Sequence, residues 1–243
     1  MAPETAFAPE YSVEHSPLFQ PQPQSLRSDA TDTLRLTNEL AGLLPGGSLR
    51  PGTSVEVGAG IGHTSLLLRL IAEPTMRGAW ATVIGLPDIN AHAAAECGVA
   101  LDRLALIPDP GSSWLEVTAA LLDAVDLVVL NPPRECRPSD ARRLIARARQ
   151  RRSVLILIDG NTHRGPRNRP PRRLWPEPPD VVFTPTRSEW HGLGQGHGCL
   201  TDATITVHTT GRRLNGPARS GYLHLEQRTA PPSPTASPTA NVR

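Results

Sequence analysis

The residues with the clearest chemical potential lie in Thr53–Leu68, TSVEVGAGIGHTSLLL. A β-branched run leads into Gly58, Gly60 and Gly62, and the apolar series Leu66, Leu67, Leu68, Leu70 and Ile71 follows. This order predicts a buried strand, a tight turn and a buried helix. Such a turn aims backbone N–H groups and the positive end of a helix at whatever lies above it, most often a phosphate. In a working G-x-x-x-x-G-K-[ST] loop the lysine reaches the β/γ-phosphates and the hydroxyl holds Mg²⁺. Here the lysine position is His63, an imidazole largely neutral at pH 7. Gly58 stands four residues before Gly62 where the pattern needs five. Thr64 and the helix N-terminus remain, so the expected site binds anions weakly and hydrolyses nothing.

The metal side of such a site needs an acid at the end of a buried strand. The strand that should carry it, Val125–Leu130, ends at Asn131, whose neutral amide cannot supply the charge that holds Mg²⁺. Asp126 lies at the other end, at roughly 3.3 Å per residue. No catalytic residue and no resident cofactor are therefore expected, ATP included. A competing reading uses the same residues. Glu56-x-Gly58-x-Gly60-x-Gly62 fits the E-x-G-x-G-x-G turn of class I methyltransferases, and Asn131-Pro132-Pro133 their N-P-P-[YF] motif, with Arg134 in place of the aromatic. S-adenosylmethionine-dependent methyl transfer is thus one alternative and a residual ATPase another. Strand order separates them, because the methyltransferase sheet ends with an antiparallel strand inserted between two parallel ones. Outside that reading Glu56 is expected to be a buried structural carboxyl satisfied near the turn.

Residues 161–179 place Arg164, Arg167, Arg169, Arg172 and Arg173 among prolines, with Trp175 beside them. Single-stranded DNA could meet its phosphates on these arginines and stack a base on the tryptophan. The competing interpretation is a solvated insertion kept open by its prolines. His191, His197, Cys199 and His208 have zinc-ligating chemistry, but their H-x5-H-x-C spacing matches no closed site, and no metal is expected. Trp190–Gly198 is glycine-rich, either a tight bend between edge strands or a partner-binding loop.

These groups must be carried by a chain of 243 residues, room for one α/β domain and tails. The net charge of +2 leaves nucleic-acid affinity to local arginine clusters. The N-terminus lacks a basic start and apolar run, and no stretch of about 18 apolar residues occurs, so a cytoplasmic protein without membrane partners is expected. Three separated cysteines fit reduced thiols. Residues 1–27 and 229–243 are Pro-rich tails around a core of 28–228, with 161–179 inserted in it.

Within the core a helix capped by Ser28 or Asp29 is expected to carry Leu36, Leu40 and Leu43 and to stop at Pro45-Gly46-Gly47. Strands are expected at Trp80–Gly85, Leu104–Pro108, Val125–Leu130 and Val154–Ile158, with helices at Ile89–Cys97, Trp114–Ala124 and after Ser139-Asp140. Apolar runs without alternation, separated by helices, predict an α/β fold with a mainly parallel central sheet flanked by helices. Val181–Phe183, Ala203–His208 and Tyr222–Leu225 then read as antiparallel edge strands, with a turn at Asn215-Gly216.

The stretches LLPGGSLRPGTSVEVGAGIGHTSLLL, GAWATVIGLPDINAHAAAECGVALDRLALIPDPGSSWLEVTAALLDAVDLVVL and WHGLGQGHGCLTDATITVHTTGRR resemble actinobacterial RecA-like proteins of the ImuA-prime type, over about residues 35 to 227. The resemblance implies a RecA-like core with a decayed ATP site, serving damage-induced mutagenesis as an accessory. It also implies two partners, an ImuB-like inactive Y-family polymerase and an error-prone C-family polymerase. His63 and Asn131 stand at the altered motif positions, so the resemblance carries over no catalytic residue. It points to a scaffold that promotes translesion synthesis through protein contacts and through single-stranded DNA.

Overall fold

Val55 and Val57 point to one face of a sheet and Ser54 and Glu56 to the other, and the chain is layered on both sides of that alternation. A computed structural model describes residues 33–133, 136–158, 175–193, 198–214 and 217–226. The expected tails, most of the 161–179 insertion and the Asn215-Gly216 turn lie outside them.

The first elements are β1 (Leu34–Arg35), α1 (Asn38–Ala41) and β2 (Ser48–Leu49), with a 3₁₀ turn at Pro45–Gly47. This corrects the expectation of one helix through Leu36 and Leu43. Leu34 and Leu36 are buried and Arg35 is exposed, a period of two, and β1 pairs antiparallel with β2. Only one helical turn remains around Leu40.

The alternating units follow as β3 (Ser54–Val57), α2 (His63–Met76), β4 (Ala81–Ile84), α3 (Ala91–Glu96), β5 (Leu104–Ile107), α4 (Trp114–Ala124), β6 (Leu127–Leu130), α5 (Pro138–Arg151) and β7 (Val154–Ile158). Asn90 caps α3 by accepting from His92 N–H at 2.7 Å. Pro138 opens α5 at a position where its missing N–H costs nothing. The last strands are longer than the sequence suggests: β8 (Val181–Leu193), β9 (Gly198–Thr210) and β10 (Arg219–Glu226).

The large sheet has the order β10-β9-β8-β3-β7-β6-β4-β5. Every pairing from β8 to β5 is parallel, and β8–β9 and β9–β10 are antiparallel. The expected mainly parallel sheet with antiparallel strands near the C-terminus is therefore present. The antiparallel strands lie outside the parallel block, not between two of its members, which contradicts the methyltransferase alternative. So does the position of β7 between β3 and β6, which sets the glycine turn and Asn131 two strands apart, roughly 10 Å.

One face buries Val55, Val57, Val83, Val129 and Ile156 under α2, α3 and the N-terminal elements. The other buries Ile84, Val128, Leu130, Leu155 and Leu157 under α4 and α5. Each fully buried aliphatic side chain contributes about 1.5–3 kcal/mol relative to exposure. A polar clasp ties the amino ends of the strands together. The buried Asp180 accepts from Ser54 N–H and Ser54 Oγ, each at 3.0 Å. Its other oxygen meets Arg149 at 3.3 Å and Arg213 at 3.5 Å.

Candidate functional site

Strand β3 delivers Gly58 at its carboxyl end, and α2 begins at His63, so the strand, turn and helix stand where the sequence places them. The turn's interior is occupied by the chain itself. Gly58 N–H donates to the Phe183 carbonyl at 2.8 Å. A Cβ at Gly60 would stand 2.6 Å from the Pro185 carbonyl oxygen. At Gly62, where φ is +88°, a Cβ would overlap the end of Ile205. The glycines thus make room for β8 and β9 crossing beside them, a use that needs no phosphate.

Pro185 sits at an irregularity that bends β8 toward the turn. The register steps from Pro185↔Val207 to Arg187↔Thr206, leaving Thr186 bulged. A residue without an N–H donor is tolerated at such a bulge.

His63 is 5% exposed and folds back on the turn, its Nδ1–H donating to the Gly60 carbonyl at 2.9 Å. A carbonyl can only accept, so Nδ1 carries the proton and Nε2, 3.5 Å from Thr64 Oγ1, is the acceptor. The side chain at the lysine position therefore braces the loop. Thr64 is exposed, and Ile61 at the tip of the turn is 64% exposed.

Asn131 is also committed locally. Its Nδ2 donates to the Gly85 carbonyl at 2.8 Å and its N–H to the Ile84 carbonyl at 3.0 Å, joining the ends of β6 and β4. Gly85 has φ +76°, and a Cβ there would lie 3.0 Å from the Asn131 carbonyl. Beside this clasp a crevice of about 490 Å³ opens at the ends of β4, β5 and β6, walled by Pro87, Pro108, Pro110, Trp114 and Pro132. Asp126, at the other end of β6, accepts from Trp80 N–H at 2.9 Å, a structural role far from the turn.

Several expectations need correction. Glu56 is half-buried, because its face of β3 is incompletely covered at that level. Trp175 is 2% exposed and packs into the core under α4 and α5, so it offers no stacking surface; its Nε1 has no hydrogen-bond partner. Arg164, Arg167, Arg169, Arg172 and Arg173 lie outside the described residues. The zinc candidates do not converge. His191 faces Asp202 and His208 bonds Ser220 at 3.2 Å, and Asp202 and His208 are six residues apart on β9, roughly 20 Å. His197 and the Cys199 side chain are not described. Among the described residues no group of three or more His, Cys, Asp or Glu could hold a metal.

Burial, helped by the Asp140 charge, pushes the Cys136 thiol up to about 11. Burial also raises Cys97, against the opposing pull of Arg69. The sequence missed the β8–β9 hairpin as the cover of the glycine turn. Its available signal was the alternation of Ile205 and Val207 with threonines, which marks one buried face without saying what lies beneath it.

A family described as the MT3502 N-terminal domain matches residues 42–164, from the lead-in of β2 through the end of β7. The chain belongs to this family. A relative, the uncharacterized protein Rv3395c of Mycobacterium tuberculosis, is 47% identical over 122 residues, covering 49% of this chain and 58% of that protein. The matched part thus spans less than two thirds of the relative's length. Among solved structures the chain is similar to the RadB recombinase, with TM-score 0.53 and 15% identity over 79% of this chain and 94% of the other. At that identity the likeness concerns the fold, which is RecA-like α/β. Among the described residues no helix is long and apolar enough to cross a membrane.

Proposed function

We propose that this protein is a non-catalytic RecA-like accessory of the DNA damage response that scaffolds an error-prone translesion polymerase complex. The observation that carries the reading is the glycine turn filled from within: Pro185 and Ile205 stand against Gly60 and Gly62, and His63 bonds Gly60. An architecture that once cradled a triphosphate now holds its own β-hairpin, and assembly replaces turnover. The partners are an ImuB-like inactive Y-family polymerase and an error-prone C-family polymerase. The arginines between 164 and 173 supply contact with single-stranded DNA. ATP is not a cofactor.

The hairpin is the contact element in this reading. β8 pairs with β3 only through Val181–Phe183, so the rest of β8 runs roughly 30 Å beyond it, carrying the part-exposed Trp190. Thermal-shift titration with ATP–Mg²⁺ tests the loss of chemistry. A ligand at one hundred times its Kd stabilises by about 2.7 kcal/mol, and no such shift is expected. Tight Mg²⁺-dependent ATP uptake, abolished by substituting His63, would overturn the proposal and favour a residual ATPase.

A further inference from the structure

A second cleft, of about 320 Å³, lies at the opposite end of the sheet, at the amino ends of β3 and β8. Leu49 and Leu214 form its apolar floor, and Arg50, Arg212 and Arg213 stand around it. Two of these cations are engaged: Arg212 donates to the Pro178 carbonyl at 2.6 Å, and Arg213 lies 3.5 Å from Asp180. Arg50 is exposed and has no ion-pair partner among the described residues. An apolar floor ringed by guanidinium groups suits a carboxylate-bearing, partly apolar segment.

The chain supplies one at that place. Residues 1–32 carry Glu4, Glu10, Glu14, Asp29 and Asp32 against a single arginine, Arg27, with Phe7, Tyr11, Leu18 and Phe19 among them. They enter the fold through β1, whose register Leu34↔Leu49 and Arg35↔Ser48 carries Thr33 past Arg50 at the mouth of the cleft. At no more than about 3.6 Å per residue, Asp32 and Asp29 lie within roughly 4 and 14 Å of Thr33 along the chain. We infer that the cleft is the seat of this chain's own acidic N-terminal segment, with the Asp29 and Asp32 carboxylates meeting Arg50 and Arg212. The contact is an in-chain partner for the arginines, and it masks a cationic patch from phosphates of either nucleic-acid strand.

Hydrogen exchange on the full chain at low salt tests this. Amides of residues 44–50 are expected to exchange about fivefold faster in Arg50→Glu, the size of one exposed ion pair. The same acceleration is expected in the Asp29→Asn/Asp32→Asn variant, which leaves the cleft's own side chains untouched. The charge exchange Arg50→Asp with Asp32→Arg should restore the slow rate. Equal exchange of 44–50 in the parent and the Asp29→Asn/Asp32→Asn variant would overturn the inference. So would protection of 44–50 by added single-stranded oligonucleotide that is the same size in both, which would assign the arginines to nucleic acid.

Discussion

At Gly62 the left-handed backbone and the missing side chain serve the same contact, since a Cβ would enter the space held by Ile205. Gly62→Ala should therefore destabilise the protein by about 1–3 kcal/mol. Shortening the obstruction with Ile205→Ala should recover part of that loss. Chemical denaturation of the two single variants and the double variant would show the coupling; additive losses would remove Ile205 as the reason for the glycine. Cys136 offers a second residue-scale test. With its thiol pushed up to about 11 by burial, roughly one molecule in three thousand carries the thiolate at pH 7.5. Peptide-mapped alkylation of the native protein should be correspondingly slow at Cys136 and should accelerate with pH up to about 11. Fast labelling at neutral pH would contradict the environment described for it.

Two elements are held by charges the fold brings together. Arg147 on α5 meets Asp123 on α4 through two nitrogens, at 2.8 and 2.5 Å, and Arg151 adds a contact at 3.1 Å. The Arg147 hydrogen bond, with smaller contributions from both charges, holds the Asp123 carboxyl below its ordinary 3.8. A folded-state value below the unfolded one means the stabilisation is complete above about pH 4 to 5 and is lost as pH falls through the folded value. Asp123→Asn should cost up to about 1 kcal/mol at pH 6, and the gap should close below pH 3. Urea midpoints at the two pH values check this. The Asp180 clasp is deeper: its side chain is 5% exposed and joins β3, β8, α5 and the chain after β9. Asp180→Ala strands the Ser54 donors and should cost about 3 kcal/mol in equilibrium denaturation.

Across the whole molecule, the two ends of the sheet have different tasks. At the carboxyl ends of the strands stand the filled glycine turn, the Asn131 clasp and the projecting β8–β9 hairpin; at the amino ends stand Asp180 and the arginine cleft. If the hairpin is the assembly surface, Trp190→Ala should weaken capture of the inactive polymerase partner about tenfold or more while leaving the unfolding midpoint within about 0.5 kcal/mol of the parent. Titration of the purified proteins measures the first and chemical denaturation the second. Unchanged affinity would move the contact elsewhere on the fold.

The parallel core was legible because its strands are continuous apolar runs flanked by helix-period segments, and burial on both faces leaves that imprint locally. The strand–turn–helix at Gly58–Thr64 and the charge losses at His63 and Asn131 were legible for the same reason, since each is a local matter of residue type and spacing. The sequence did not convey that Trp175 is core, that Glu56 is half-covered, or that Leu34–Leu36 is extended. Those depend on which element comes to lie opposite, and local pattern does not encode its partner. The use of the glycines was decided last, by tertiary structure alone: Pro185 and Ile205 come from strands more than 120 residues away, and only their crossing beside the turn explains the space that Gly60 and Gly62 leave.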